Sequence, residues 1–194
     1  ETAMLNIINY QTLIATKASR IKQVLGEETA MEFGTRRAQE MDAAIWGTRA
    51  AYIGGFDATS NVRAGKLFGI PVAGTHAHAL IQAYQDEYTA FRKYARRHKD
   101  CVFLVDTYDT LKSGVPNAIR VAKELKDKIN FIGIRLDSGD LAYLSKEARK
   151  MLDEAGYPEA SICVSNGLDE KAIKDLLLNG APIDSFGAGD NIAA

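Results

Sequence analysis

The feature that most constrains the fold is a short apolar run that recurs and each time ends in polar or small residues. Val102-Phe103-Leu104-Val105 ends in Asp106-Thr107-Tyr108-Asp109, and Phe131-Ile132-Gly133-Ile134 ends in Arg135-Leu136-Asp137-Ser138-Gly139-Asp140. Ser161-Ile162-Cys163-Val164 ends in Ser165-Asn166-Gly167. Ile183-Asp184-Ser185-Phe186, the least apolar of the four, ends in Gly187-Ala188-Gly189-Asp190. Helical patterns fill the intervals over about 117–127, 141–155 and 168–179. A repeat of about 20–30 residues is the length of a strand plus a helical crossover. Mostly apolar strands of this kind fit a parallel sheet covered on both faces. The expected class is therefore α/β, a TIM-like (β/α) barrel. The strands do not make eight, so the barrel is expected to be incomplete.

The earlier part of the chain is less regular. Met4, Ile7, Ile8, Ile14, Ala18, Ile21 and Leu25 recur at helical spacing over 4–25. Met31-Glu32-Phe33 reads as a short strand running into Gly34-Thr35-Arg36-Arg37, with a helix expected over 38–52. The stretch GGFDATSNVRAGKLFGIPVAGTHAHA (54–79) places Asp57, Thr59, Ser60 and Asn61 in a loop before a short helix. A brief apolar run over 70–73 then reads as a buried strand that breaks at Gly74-Thr75 and delivers His76 and His78, two of the three histidines. A single helix is expected over 79–97.

Composition narrows the function. The chain is 46% hydrophobic and 25% charged with a net charge of -1, an ordinary globular balance that argues against a basic face for nucleic acid. No apolar run approaches a membrane span, and no signal peptide is expected. Cys101 and Cys163 both lie in apolar runs, as reduced thiols of a cytoplasmic protein would. The 194 residues are expected to form a single α/β barrel core domain. Both ends read as mid-element, so the chain is expected to be a fragment of a longer one, lacking N- and C-terminal parts.

In a barrel, strand C-termini converge on one rim, the usual place for chemistry. Asp57, His78, Asp109, Arg135, Asp137 and the 187–189 turn are expected to share it. Some of these polar positions are helix caps, Ser138 or Asp140 among them; Arg135, the first polar residue after an apolar strand, is not explained that way. Gly187 and Gly189 would let backbone N–H groups approach a phosphate. Arg135 offers a planar fork to a carboxylate or phosphate, and the aspartates would hold Mg²⁺ with substrate phosphate oxygens. No Cys/His set suits zinc. The residues point to a phosphorylated, carboxylate-bearing substrate pair with magnesium.

Six motifs occur in order: EFGTRRAQ (32–39), the 54–79 stretch, LVDTYDTLKSG (104–114), GIRLDSGDL (133–141), SNGLDE (165–170) and FGAGD (186–190). With ETAMLNIINYQTLIATKASR at the start, the chain resembles the nicotinate phosphoribosyltransferase family, bacterial type, nearly end to end. The resemblance implies a type II phosphoribosyltransferase barrel. It implies an enzyme that converts nicotinate and phosphoribosyl pyrophosphate to nicotinate mononucleotide and pyrophosphate for NAD biosynthesis. ATP hydrolysis would be coupled through a phosphohistidine at His78, oriented by Asp109. Phe33 would stack on the pyridine ring, with Asp57, Thr59, Ser60 and Asn61 lining its pocket and Arg135 near the nicotinate carboxylate. Arg36 would lie near the ring and the phosphates. Asp137 would hold ribose hydroxyls, and Gly167, Gly187 and Gly189 the 5-phosphate. Mg²⁺ and ATP are the implied cofactors, and the full-length protein a homodimer. The segments outside the chain would complete the pocket, so the 194 residues alone are expected to be inactive. A nicotinamide-using relative of the same fold and a non-catalytic nucleotide-binding barrel are the alternatives. A sugar-phosphate isomerase or aldolase would want a Lys or Glu at a strand end, and none reads there.

Overall fold

The computed structural model describes residues 1–194. In chain order the elements are α1 (Thr2–Val24), β1 (Thr29–Glu32), a 3₁₀ turn (Thr35–Arg37), α2 (Met41–Ile53), β2 (Ala58–Thr59) and α3 (Val62–Phe68). Then come α4 (His78–Gln82), α5 (Glu87–Ala95), β3 (Asp100–Leu104), a π-helical turn (Thr110–Gly114) and α6 (Val115–Glu124). The chain closes with β4 (Asn130–Leu136), α7 (Leu141–Glu154), β5 (Ser161–Ser165), α8 (Glu170–Leu178), β6 (Ser185–Ala188) and α9 (Asp190–Ala193). These form two compact units. One comprises Glu1–Gly74, Ser165–Leu178 and Ser185–Ala194; the other comprises Thr75–Val164 and Asn179–Asp184.

In the first unit β1 is central, parallel to β2 on one side and to β6 on the other. Ile14, Ala18 and Ile21 recur at helical spacing and are the buried stripe of α1. Tyr10 ties that helix to α2 through its hydroxyl, which donates to the Ala43 carbonyl at 2.9 Å. Asn61 is the N-cap of α3, its Oδ1 accepting the Ala64 N–H at 3.0 Å, and Gly69 ends the helix in the left-handed region at φ 69. Asn61 is therefore a buried helix cap, not a pocket residue.

In the second unit β4 lies between β3 and β5, all parallel. Phe103, Leu104, Ile134, Leu136 and Ile162 are buried along these strands. The π turn after β3 sits tightly beneath the strand end, because a Cβ on Gly114 would stand 1.7 Å from the Val105 carbonyl oxygen. A π turn of this kind is uncommon and often marks a functional site.

Three local expectations differ from the structure. The apolar run over 70–73 is no strand: Val72, following Pro71, makes one isolated parallel bridge to Thr59. The helix expected over 79–97 is two, α4 and α5, because the Asp86 carboxylate accepts from the Thr89 N–H and hydroxyl and starts a new helix. The last strand begins at Ser185, two residues later than the apolar run, so Gly187 lies inside β6 and not in a turn after it. No helix is long and apolar enough to cross a membrane.

Candidate functional site

The second unit carries one polar cluster at the C-terminal ends of β3 and β4. Asp106 is the first polar residue after the apolar end of β3, and its side chain is 1% exposed. Its Oδ2 accepts the Asp137 N–H at 2.7 Å and the Ser138 hydroxyl at 2.6 Å. Its Oδ1 is buried and has no hydrogen-bond partner. Arg135 and Asp137 lie two apart along β4 and its end, so they share a face. The Arg135 guanidinium, 16% exposed, donates from Nη2 to Asp137 Oδ1 at 2.9 Å and from Nη1 to the Thr75 hydroxyl at 3.1 Å.

His78 opens α4 beside these groups, 37% exposed. Its Nδ1 is 3.0 Å from the Thr107 hydroxyl. Its Nε2 is 3.4 Å from Asp137 Oδ2 and 3.9 Å from Asp106 Oδ1. One ring nitrogen therefore meets a neutral hydroxyl and the other faces two carboxylates. Carboxylates on Nε2 favour a proton there, leaving Nδ1 as the lone-pair nitrogen with the Thr107 hydroxyl as its donor.

Asp109 is elsewhere. Its carboxylate accepts the Lys112 N–H at 2.9 Å and caps the π turn, half exposed. The carboxylates that face His78 are Asp106 and Asp137, so the expected Asp109–imidazole pairing is replaced by this one. The same rule that singled out Arg135, the first polar residue after an apolar strand, also marks Asp106. Thr107 left no such signal.

His76 does different work. It packs edge-on to Tyr94 at 4.9 Å and against Phe91 and Phe103, and its Nε2 accepts the Leu104 N–H at 3.2 Å. Burial lowers its pKa to about 4, so it is a neutral core histidine. Glu87 is also buried; burial raises its pKa, and its Oε2 takes the Ser113 hydroxyl, tying the start of α5 to the π turn.

The first unit carries a second group of polar and small residues at the ends of β1, β2 and β6. Phe33 follows β1, and its N–H donates to the Ala188 carbonyl at 2.8 Å. Its ring lies over Gly187, where a Cβ would stand 2.4 Å from two ring carbons. Gly187 therefore makes room for an aromatic ring; nothing in its strand position makes it a phosphate cradle. Gly189 lets the Phe33 carbonyl come close, since a Cβ there would meet it at 2.8 Å. Ser60 is exposed, with its N–H on the Glu32 carbonyl at 3.0 Å. Arg36 is exposed on the 3₁₀ turn, next to Arg37, which pairs with Asp190 at 3.0 Å. Gly167 lies in an exposed turn with φ 59, following Asn166 at φ 93.

Two of the expected pocket residues face away. Asp57 precedes β2, at the N-terminal end of the strand, where its Oδ2 accepts the Ala30 N–H at 2.8 Å and Lys22 Nζ at 2.8 Å. Thr59 is fully buried, and its hydroxyl donates to Glu32 Oε2 at 2.6 Å. Both serve the scaffold.

Comparison with known proteins shows the family. Residues 29–193 match the model of the nicotinate phosphoribosyltransferase (NAPRTase) family. The chain is 74% identical over 192 residues to a nicotinate phosphoribosyltransferase of Bacillus subtilis (strain 168), covering 99% of this chain and 39% of that protein. It is 42% identical over 240 residues to one from Dictyostelium discoideum, covering 99% of this chain and 41% of that one. The solved structure of human nicotinic acid phosphoribosyltransferase superposes with a TM-score of 0.90 at 30% identity, over 97% of this chain and 49% of that chain. That of nicotinate-nucleotide pyrophosphorylase from Pyrococcus furiosus gives 0.81 at 32% identity, over 95% and 47%. The fold class is thus the α/β, incomplete (β/α) barrel of these enzymes, and the chain spans about two fifths of the length of the curated relatives it matches.

Proposed function

Since this chain belongs to the nicotinate phosphoribosyltransferase family, we propose that the full-length protein transfers ribose 5-phosphate from phosphoribosyl pyrophosphate to nicotinate, in NAD biosynthesis. The observation that carries the reading is His78, with one ring nitrogen against the Thr107 hydroxyl and the other facing the Asp137 and Asp106 carboxylates. A half-buried imidazole held this way can act as the nucleophile that takes a phosphoryl group from ATP. The new N–P bond forms as the bond from the γ-phosphorus to the ADP oxygen breaks, and water later returns the phosphate. Asp106 and Asp137 stabilise the positive ring while the phosphoryl group is attached.

The transfer of the sugar is a positioning problem. Loss of pyrophosphate leaves an oxocarbenium-like carbon, and the ring nitrogen of nicotinate must be held in line with it. Phe33, half-buried over Gly187, offers a flat face for the pyridine ring. Ser60 is proposed for the edge of that pocket, and Arg36 for the cation near the ring and phosphates. Arg135 is proposed for the nicotinate carboxylate, since a guanidinium reads a planar carboxylate by two hydrogen bonds. Asp137 is proposed for ribose hydroxyls, and the open backbone at Gly167 and Gly189 for the 5-phosphate. The amides at the start of α8 are already taken, because Asp169 Oδ1 accepts from Lys171 and Ala172.

Magnesium fits the second unit's cluster. No three acidic, His or Cys side chains form a ready metal cage, but Mg²⁺ needs only one or two carboxylates beside phosphate oxygens. Asp106 Oδ1, buried and unpartnered, is such an oxygen, with Asp137 next to it. When bound, the ion would neutralise charge on the departing phosphate groups. The full-length protein is read as a homodimer, a reading supported by Met4, Leu5, Ile7 and Ile8 standing exposed along α1. The two free, buried cysteines support a cytoplasmic setting; burial raises the Cys101 thiol to about 11.

The test is to incubate the full-length protein with phosphoribosyl pyrophosphate and either base, and to identify the mononucleotide by mass. Nicotinate mononucleotide is the expected product. Nicotinamide mononucleotide alone would overturn the base assignment, and no nucleotide from either base would favour a binding protein.

A further inference from the structure

We propose that Glu32 is the positioning residue of the pyridine pocket, acting as a buried hydrogen-bond hub that fixes the ring of Phe33. The proposal rests on the stacking role read for Phe33 above. Glu32 ends β1 and is 4% exposed. Its carboxylate gathers three neutral donors from three separate segments. Oε1 accepts the Gly34 N–H, the peptide that follows Phe33. Oε2 accepts the Thr48 hydroxyl from α2 at 3.0 Å and the Thr59 hydroxyl from β2 at 2.6 Å. Its backbone carbonyl accepts the Ser60 N–H at 3.0 Å and the Ser60 hydroxyl at 3.3 Å.

A buried carboxylate with only neutral partners is costly compared with an apolar side chain that would satisfy the same sheet face. It makes sense where geometry matters more than burial. Phe33 is held on both sides: its own N–H by Ala188, and the next peptide N–H by Glu32. Gly34 is closely surrounded, because a Cβ there would meet Ala193 at 2.6 Å and Glu32 Oε1 at 2.9 Å. With the backbone fixed before and after it, the Phe33 ring has one seat, over Gly187. The main-chain carbonyl of Glu32 holds Ser60, so the side chain acts on the stacking ring alone. Its job is geometric, and it needs oxygens in place more than it needs charge.

Glutamine separates those two needs. In Glu32→Gln the amide oxygen still accepts from Gly34, and the NH₂ faces Thr48 and Thr59. Thr48 can accept it once its single O–H turns from Glu32 to the Ala44 carbonyl, which lies 2.9 Å away. Steady-state kinetics of the full-length protein, with nicotinate and phosphoribosyl pyrophosphate varied separately and Tm recorded, test the proposal. Glu32→Ala should raise KM for nicotinate at least about tenfold, with kcat and KM for phosphoribosyl pyrophosphate within about threefold. Glu32→Gln should return the nicotinate KM to within about threefold of wild type. Equal damage from Gln and Ala would show that charge is required, and would overturn the proposal. So would a fall in Tm with every kinetic constant altered alike, the mark of a merely structural side chain. Where Glu32→Ala does not fold, Thr48→Val removes one donor to the hub. It should raise the nicotinate KM about threefold, and an unchanged KM would overturn the proposal. A wild-type protein that does not use nicotinate refutes the underlying reading before any variant is compared.

Discussion

Asp106 fixes Asp137 through its backbone: the buried Oδ2 of one accepts the N–H of the other at 2.7 Å. The carboxylate closest to His78 Nε2 is thereby set by a second carboxylate beneath it, which also takes the Ser138 hydroxyl. Charge at this site is arranged by short hydrogen bonds from the C-terminal ends of β3 and β4, and not by the exposed loop beyond them.

That arrangement separates two aspartates of one motif. Asp106→Asn keeps an oxygen that can accept from Asp137 and Ser138 but turns an NH₂ toward the imidazole in place of a carboxylate oxygen. It should reduce ATP-stimulated activity of the full-length protein by about 10–100-fold. Asp109→Asn, still a good cap for the π turn, should stay within about twofold. Initial rates with and without ATP check both. A larger loss from Asp109→Asn than from Asp106→Asn would contradict the placement.

His76 makes stability depend on pH. Burial holds its folded pKa at about 4, below the 6.5 of a free imidazole. Between those values the unfolded chain binds a proton that the folded protein does not. The contribution is therefore complete above pH 6.5 and is lost as pH falls toward 4, by about 3 kcal/mol in all. Urea midpoints of the full-length protein should drop over that range. In His76→Gln, whose amide oxygen still accepts the Leu104 N–H, the decline should be shallower. Parallel curves for the two proteins would show that His76 is not the group responsible.

Gly187 is where a single methyl should matter. Its Cβ would lie 2.4 Å from the Phe33 ring, so Gly187→Ala must displace the ring. Overpacking of this kind costs about 1–3 kcal/mol. The nicotinate KM should rise about tenfold or more, because small misplacements of a binding surface are expensive in rate and affinity. A lower Tm with an unchanged nicotinate KM would remove Phe33 from the pocket.

Much of this was legible in the sequence, for identifiable reasons. Buried parallel strands are continuous apolar runs, so β3, β4 and β5 announce themselves, as do the helices between them. The resemblance named the family, and the motif order carried it. What stayed hidden was local. β6 is built of Ser, Phe, Gly and Ala, of which only Phe favours a strand, and it pairs with β1. The break between α4 and α5 depends on one capping aspartate, which composition cannot distinguish from a surface charge. Asp57 and Thr59 sit in a conspicuous polar loop, yet direction decides their role: one points to Lys22 and the other to Glu32. Glu32 itself lies in a strand-like run of Met, Glu and Phe, where a charged residue reads as outward-facing until burial is known.

The measurement that bears most directly on the account is pyrophosphate release from phosphoribosyl pyrophosphate and nicotinate by the full-length protein, with and without ATP, in wild type and in His78→Ala. ATP should stimulate release by the wild type and have no effect on the variant, which keeps a slow ATP-independent rate. Equal stimulation of both proteins by ATP would contradict it, because the phosphoryl acceptor would then not be His78.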